Sequence, residues 1–226
     1  MTSLNIVSSI YGLNYKSSVG SVAGTLLDGK IDNVVVYPSI IINDILSDKD
    51  SELNISTMIG SGNGLVVNSK VYFTKDNIIS WQNALKVKVI TQNPVNFGAV
   101  IGKTLDGESK VSYTYVRSFY NENTPNFQAD IYINSTKSSK IGGLVGSVGG
   151  QKILLENSYF NANILTNGTK ETETNTNHWI GLLLADTNVA SGSSVSNSYA
   201  IGELKVICED TNIYKLSNIK DNFGLI

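Results

Sequence analysis

This sequence is organised by the stretch Ile141-Gly142-Gly143-Leu144-Val145-Gly146, which recurs along the chain in looser form. Each copy reads as a large apolar residue, Gly or Ser, a usually small residue, two apolar residues, then Gly or Ala. The other full copies are Val19 to Gly24, Ile55 to Gly60, Phe97 to Gly102 and Ile180 to Ala185. Their closing positions, 24, 60, 102, 146 and 185, lie 36, 42, 44 and 39 residues apart. Self-similarity at this period predicts a repeat architecture in which neighbouring units bury a common core.

A turn is predicted after each copy of this motif. Asp28-Gly29 and Asp106-Gly107 begin four residues after the closing glycines of the first and third copies. Gly62-Asn63-Gly64 and Gly149-Gly150 take the same place in two other copies. These pairs are expected to reverse the chain because they tolerate positive φ. A calcium site at the two aspartates is the alternative, although no calcium-loop spacing of oxygen ligands follows them.

A second predicted strand follows the turn and carries an asparagine marker. An apolar residue precedes the asparagine by two positions, and Asn-Ser-Tyr is complete at 157–159 and 197–199. The third copy breaks the rule, because Tyr113 stands where asparagine is expected. Stacked units would place these residues in one structural column with amides bonding from coil to coil. A sugar-binding role is the alternative reading of this column, whose members are Asn33, Asn68, Asn157 and Asn197.

A third predicted strand completes each unit, and its pattern alternates. Val87 and Val89 are expected to face inward between lysines, and Ile131 and Ile133 flank Tyr132 in the same way. The sequence therefore predicts an all-β fold: a right-handed parallel β-helix of about five three-stranded coils, forming one domain over 1–226. A two-sheet sandwich would also use short strands and turns, but it does not require a returning motif.

The fourth copy resembles the GLUG repeat of large surface proteins. The likeness is carried by Ile141 to Gly146 together with Leu155-Glu156-Asn157-Ser158-Tyr159, and the fifth copy matches more loosely. The first three copies keep the pattern of apolar and small residues, but most of their residue identities differ from the GLUG repeat. The resemblance implies a β-solenoid stalk of an adhesin-like, cell-surface protein. Because the repeat of that family carries no catalytic residues, none is implied for this chain.

Composition and charge narrow the possible partners. The net charge is −2 and no basic stripe is present, so nucleic acid is not an expected partner. No apolar run is long enough to span a membrane as a helix. The start of the chain lacks the pattern of a signal peptide. The single Cys208 is expected to be a buried, inert thiol, which leaves the redox compartment open.

Groups that could support catalysis are few and scattered. His178 is the sole histidine, and we expect it to be a plain residue of the polar loop that precedes Trp179. Asp32 and Glu156 occupy equivalent places three coils apart. Asp130 and Glu203 are expected to face outward on the third strand with Asn163 between them. The sequence therefore predicts no catalytic, cofactor or metal site, whereas a β-helix lyase or hydrolase would need carboxylates on neighbouring coils.

The functional prediction is a non-catalytic structural or adhesive solenoid segment of a cell-surface or extracellular protein. It would act as a stalk, spacer or interaction surface, with carbohydrate or another surface protein as possible partner. A carbohydrate-active β-helix enzyme and an intracellular scaffold are the alternatives. The partial motif at Phe223-Gly224-Leu225-Ile226 suggests a fragment of a longer array. We therefore expect end-to-end association with further chain or with a second copy.

Overall fold

A computed structural model shows a parallel β-solenoid, which confirms the predicted fold class. It describes residues 6–8, 17–44, 51–73, 86–118, 129–167, 178–186 and 188–207. Every strand pair in this part of the chain is parallel, and no helix occurs among these residues. Parallel strands need a connection around the molecule, and here the coil itself is that connection.

The strands follow one another around five coils, after an initial strand β1 (Ile6–Ser8). The first two coils contain β2 (Ser17–Gly20), β3 (Ala23–Asp32), β4 (Val35–Val36), β5 (Ile40–Asp44), β6 (Leu53–Ser56), β7 (Ile59–Val67), β8 (Lys70–Phe73) and β9 (Val87–Thr91). The third and fourth contain β10 (Val95–Gly98), β11 (Ile101–Ser112), β12 (Tyr115–Ser118), β13 (Ile131–Ser135), β14 (Ser139–Gly142), β15 (Val145–Ser147), β16 (Lys152–Glu156), β17 (Tyr159–Asn161) and β18 (Ile164–Asn167). The fifth contains β19 (His178–Gly181), β20 (Ser194–Ser196), β21 (Tyr199–Ile201) and β22 (Leu204–Ile207).

Four sheets run the length of the stack, one more than the three strands per coil predict. Sheet A has the order β1-β5-β9-β13-β18-β22, and sheet B has β2-β6-β10-β14-β19. Sheet C has β3-β7-β11-β16-β20, with β15 also paired to β11, and sheet D has β4-β8-β12-β17-β21. The extra strand arises because the chain turns a corner at the asparagine marker, and the residues after it form sheet D. The predicted third strand is the strand of sheet A.

Equivalent residues of the repeated motif stack directly on one another, as predicted. Val19 pairs with Ile55, Ile55 with Phe97, Phe97 with Ile141, and Ile141 with Ile180. The closing positions 24, 60 and 102 fall in register as well, because their neighbours pair in the same order. These inward side chains belong to one continuous apolar core that extends through all five coils.

The paired apolar residues of the motif mark a bend, not a strand with one face covered by a loop. In the fourth coil, residues 143 and 144 form the corner between β14 in sheet B and β15 in sheet C. Leu144 and Val145 are both fully buried, since the change of direction turns both side chains inward. The motif therefore specifies a corner between two sheets.

Glycine is required in this corner because sheets B and C approach each other closely. A Cβ at Gly102 would lie 2.5 Å from the carbonyl oxygen of Gly60 and 2.7 Å from that of Ile55. A Cβ at Gly146 would collide with the carbonyl oxygen of Phe97. In the fifth coil the equivalent residue is Ala185, and the pairing there is reduced to the single bridge Val145↔Leu184.

In the first and third coils, the Asp-Gly pairs after the motif form β-bulges and not the chain reversals that the sequence predicts. Asp28-Gly29 lies inside β3, and Asp106-Gly107 lies inside β11. The strand register shifts at both places, and the chain then continues in the same sheet. Positive φ is still required, at 48° for Asp28 and 119° for Gly107. The extra residues fit because a bulge absorbs them without interrupting the sheet.

We predict that Gly102→Ala lowers the free energy of unfolding by roughly 2–3 kcal/mol, because the added methyl group meets fixed backbone atoms. Gly29→Ala is the matched control. The three atoms nearest to its Cβ would belong to the Leu26 side chain, which can move, so we expect a loss below about 1 kcal/mol. Urea unfolding measures both values, and equal losses would contradict the account of the corner.

Candidate functional surface

The asparagine column forms the corner between sheets C and D. All four asparagines have positive φ, between 46° and 57°, and Tyr113 in the third coil has a φ of 49°. Their strands pair in register, so the five residues stack at one corner. Asparagine is among the residues that adopt this left-handed conformation most readily, whereas a bulky residue such as tyrosine is strained there. The marker is therefore explained first by backbone conformation.

The side chains of this column differ from the amide-to-amide bonding that the sequence predicts. Among the described residues, the column makes one side-chain hydrogen bond, from Asn68 Nδ2 to Asp32 Oδ1 at 3.2 Å. The Lys30 ammonium, which bonds to the same carboxylate, and then the Asn68 bond hold the pKa of Asp32 below its usual value. Asn33, Asn68 and Asn197 are exposed, and Asn157 is half-buried.

The hydroxyl ladder, a column missed by the sequence analysis, lies one residue after the asparagines. Ser158 Oγ donates to the Glu156 carbonyl at 2.8 Å and accepts the Thr114 N–H of the preceding coil at 3.1 Å. Ser69 Oγ accepts from Val34 N–H, and Ser198 Oγ accepts from Ser158 N–H. Ser69, Thr114 and Ser158 are buried. The serine in Asn-Ser-Tyr was the available signal, since a buried hydroxyl needs such partners.

We predict that these two columns respond differently to mutation. Ser158→Ala leaves the buried Thr114 N–H without its acceptor and should cost about 1–3 kcal/mol of unfolding free energy. Asn157→Ala should cost about 1 kcal/mol, and Asn157→Gly less, because glycine adopts positive φ freely. Thermal or urea unfolding of the three variants tests this order. If Asn157→Gly proves as costly as Ser158→Ala, the amide of Asn157 is the stabilising group.

A tyrosine stack covers the outer surface of sheet D. The rings of Tyr115 and Tyr159 stack at 4.8 Å between centroids, and those of Tyr159 and Tyr199 at 5.3 Å. Tyr37 and Tyr72 form a tilted pair beside them at 5.8 Å. Ring stacking from coil to coil adds to the backbone pairing.

The Tyr–Asn face is the surface made by the corner column and the two outward columns of sheet D. It has three positions in each of five coils, set by the pairing of the strands. Its residues are Asn33, Val35, Tyr37, Asn68, Lys70, Tyr72, Tyr113, Tyr115, Arg117, Asn157, Tyr159, Asn161, Asn197, Tyr199 and Ile201. Burial raises the pKa of Tyr159, and the charge of Arg117 opposes that shift.

A buried polar seam joins sheets B and C on the side of sheet B away from the apolar core. Asn96 Nδ2 donates to Asn54 Oδ1 at 2.8 Å and to Glu52 Oε1 at 2.7 Å, and Lys103 pairs with the same Glu52 oxygen. Asn54 and Asn96 are nearly inaccessible to solvent. An amide-to-amide bond between coils thus exists in this protein, but in sheet B, where the sequence analysis did not place it.

The seam continues into the last two coils as a charged pair. Lys140 Nζ lies 2.7 Å from Asp186 Oδ2 and 5.5 Å from the ring centre of Trp179. Burial acts to raise the pKa of Asp186, but hydrogen bonds from Lys140 and from the Asn188 and Gly149 N–H groups outweigh it and lower the pKa. The ring and the carboxylate both contact the ammonium group, so these contacts tie the fifth coil to the fourth.

The predicted turn residues are brought together by Asn63, which lies in the coil between them. Its Oδ1 accepts the Asp28 N–H at 2.7 Å, and its Nδ2 donates to Asp28 Oδ1 and to the Asp106 carbonyl. Asp106 Oδ1 accepts from Gln151. Within the described residues, no three His, Cys, Asp or Glu side chains are grouped as metal ligands would be.

The predicted acid pairs occupy structural positions. Asp32 and Glu156 are indeed three coils apart in one column, paired to Lys30 and Lys110. Asp130 was expected to face outward, and this is wrong: it is buried in the corner before β13. Its Oδ1 accepts from Ser118 Oγ at 2.6 Å and its Oδ2 from the Asn163 N–H at 3.0 Å. The corner needs these acceptors, so the carboxylate turns inward.

His178 was expected in a polar loop, and the structure corrects this. It is the first residue of β19 and is 4% exposed, in the inward column that contains Leu53, Val95 and Ser139. Its Nδ1 lies 2.5 Å from Ser139 Oγ. Burial lowers the pKa of His178 to about 4, so the ring is neutral at neutral pH. Cys208 lies outside the described residues.

We predict an acid-dependent loss of stability from His178. The unfolded side chain has a pKa near 6.5 and the folded one near 4, so protonation favours the unfolded chain as the pH falls below about 6.5. Between pH 7.5 and pH 5 the free energy of unfolding should drop by about 2 kcal/mol on this account. Urea titrations at both pH values measure the drop. In His178→Gln, which keeps a hydrogen-bonding side chain, most of this pH-dependent drop should be absent. A drop as large as in the wild-type chain would contradict the assignment to His178.

Comparison with known proteins finds no match to a protein-family model, to a curated protein or to a solved structure. No helix in the described part of the chain is of the length and hydrophobicity needed to cross a membrane. The geometry of the stack is therefore the basis for any functional inference.

Proposed function

We propose that this chain is a non-catalytic solenoid segment that serves as a structural and interaction surface of a cell-surface or extracellular protein. The observation that carries the proposal is that its polar side chains are used to join one coil to the next. In the part of the chain that the structure describes, four ion pairs cross between adjacent coils: Lys103–Glu52, Lys110–Glu156, Lys140–Asp186 and Lys152–Glu108. The hydroxyl ladder and the seam act in the same direction.

A structural role explains this use of charge better than catalysis does. General acid–base chemistry needs a carboxylate that can reach a substrate and change its protonation state. Asp130 and Asp186 instead accept backbone and side-chain hydrogen bonds in buried corners. The resemblance of the fourth repeat to the GLUG repeat supports a surface location, which remains part of the proposal. A carbohydrate-active enzyme is the alternative that the following experiment tests.

End-to-end association belongs to the same proposal. In the fifth coil the inward residues Val195, Leu204 and Val206 are only half-buried, whereas Leu155 and Ile164, which pair with two of them, are fully buried. Such a coil exposes apolar side chains and unpaired strand edges within the described residues. A further coil with the same repeat, in this chain or in a second copy, would continue all four sheets.

The non-catalytic proposal predicts that the chain leaves polysaccharides intact. Incubation with a panel of acidic and neutral polysaccharides should yield no new reducing ends and no unsaturated ends above a heat-denatured control. The exposed Glu203 provides the variant for comparison. Turnover by the folded chain that disappears in Glu203→Gln, with the melting curve unchanged, would establish an enzyme and overturn the proposal.

A further inference from the structure

The composition of the Tyr–Asn face differs sharply from that of the whole chain. The chain has 19 acidic residues, yet none of the fifteen positions of this face is Asp or Glu. Six positions are tyrosine, five are asparagine, and Lys70 and Arg117 supply positive charge. The Asp32 carboxylate borders the face, where it is bonded to Asn68 and paired with Lys30. The fifteen positions themselves offer cations, amides and phenols, which are complementary to an anionic, hydroxyl-rich ligand.

The third coil forms the centre of this face. Tyr113, Tyr115 and Arg117 are alternate residues, so all three side chains point outward from the same coil. Arg117 is the only arginine of the chain. Its planar guanidinium can hold a carboxylate or sulfate with two hydrogen bonds, which a lysine ammonium cannot do.

Tyr113 is the second, independent observation. It occupies the left-handed corner with a φ of 49°, and half of its surface is exposed. Each of the four remaining coils has asparagine at this position. A bulky residue is strained in that conformation, and strain of this kind is retained mainly where a side chain has a function. The strained residue lies in the same coil as the sole arginine, so one ligand could contact both side chains.

We propose that the Tyr–Asn face binds an extended acidic polysaccharide whose chain runs parallel to the axis of the stack. Coils are spaced at about 4.8 Å, close to the advance of one sugar along an extended polysaccharide, so successive coils can meet successive sugars. Arg117 and Lys70 would contact carboxylate or sulfate groups, and the asparagines and phenol hydroxyls would contact sugar hydroxyls. Stacked rings present their edges outward, so this recognition is polar. The inference deepens the proposed interaction surface and rests on it.

The test measures binding of the intact chain to polygalacturonate, with neutral dextran as the second polymer. We expect saturable binding to polygalacturonate that weakens with added salt, and none to dextran. Arg117→Gln should weaken binding about 10- to 100-fold, as for a lost hydrogen bond to a charged group. The matched control Lys88→Gln removes one positive charge from sheet A and should leave binding unchanged.

Tyr113→Asn separates recognition from folding. Restoring asparagine to the corner should raise the melting temperature, because the strain is removed, while binding to polygalacturonate weakens. A structural role alone would give the rise in melting temperature without the loss of binding, and that result would overturn the role assigned to Tyr113.

Four outcomes would overturn the proposal: no binding of the wild-type chain, equal binding to dextran, equal losses in Arg117→Gln and Lys88→Gln, or a dimer in solution that Arg117→Gln dissociates. The last outcome would assign the face to a second copy. The length of the polymer recovered after incubation separates this proposal from the proposed function. Shortened polymer would contradict the non-catalytic role even if binding were confirmed, whereas intact polymer without binding would contradict only the ligand.

Discussion

The rest of this structure depends on one constraint: each residue must fit on top of its equivalent in the next coil, about 4.8 Å away. In such a stack, the equivalent residue of the adjacent coil lies next to each side chain. Apolar columns become a continuous core, as from Val19 to Ile180. Like charges cannot stack at this distance without repulsion, so lysines are matched with acids of adjacent coils.

The same constraint divides the corners of the coil into different types. The corner between sheets B and C is closed by glycine, because backbone approaches backbone there. The corner between sheets C and D is set by positive φ, and the hydroxyl ladder below it satisfies the N–H groups of neighbouring coils. The corner before sheet A uses Asp130 and Asn163 as acceptors for the next coil. Each corner therefore has its own residue rule, and the rules repeat with the coil.

Much of the fold could be predicted because a repeat displays these rules several times. The inward columns, the closing positions 24, 60, 102, 146 and 185, and the strands of sheet A follow from period and alternation. The fourth sheet could not be predicted, because its strands are short and the asparagine that begins them resembles a strand residue in sequence. The burial of Asp130 and His178 also escaped prediction, since whether a polar residue at a corner faces inward depends on acceptors and space supplied by other coils.

Part of the candidate surface could be predicted from the sequence. Asn-Ser-Tyr was recognised as a marker, but its three residues have separate roles. The asparagine adopts the corner conformation, the serine supplies a buried hydroxyl and the tyrosine an outward ring. Only the outward register of sheet D places Arg117 and Lys70 beside the tyrosines. Tyr113, which looked like a lapse in the repeat, becomes informative once its φ is known.

The length of the coil has a mechanical consequence. Each repeat of 36 to 44 residues advances the stack by one strand spacing. Most of the length of the chain therefore runs around the axis of the stack, and little of it runs along the axis. If tension were applied to the two ends of such a stack, its last coil would peel first, because a last coil pairs with one neighbouring coil and every inner coil with two. A released coil of 40 residues can extend by about 130 Å, against the roughly 4.8 Å it spans when stacked. A tether built this way would yield in discrete steps, each adding about 130 Å while the remaining coils stay rigid.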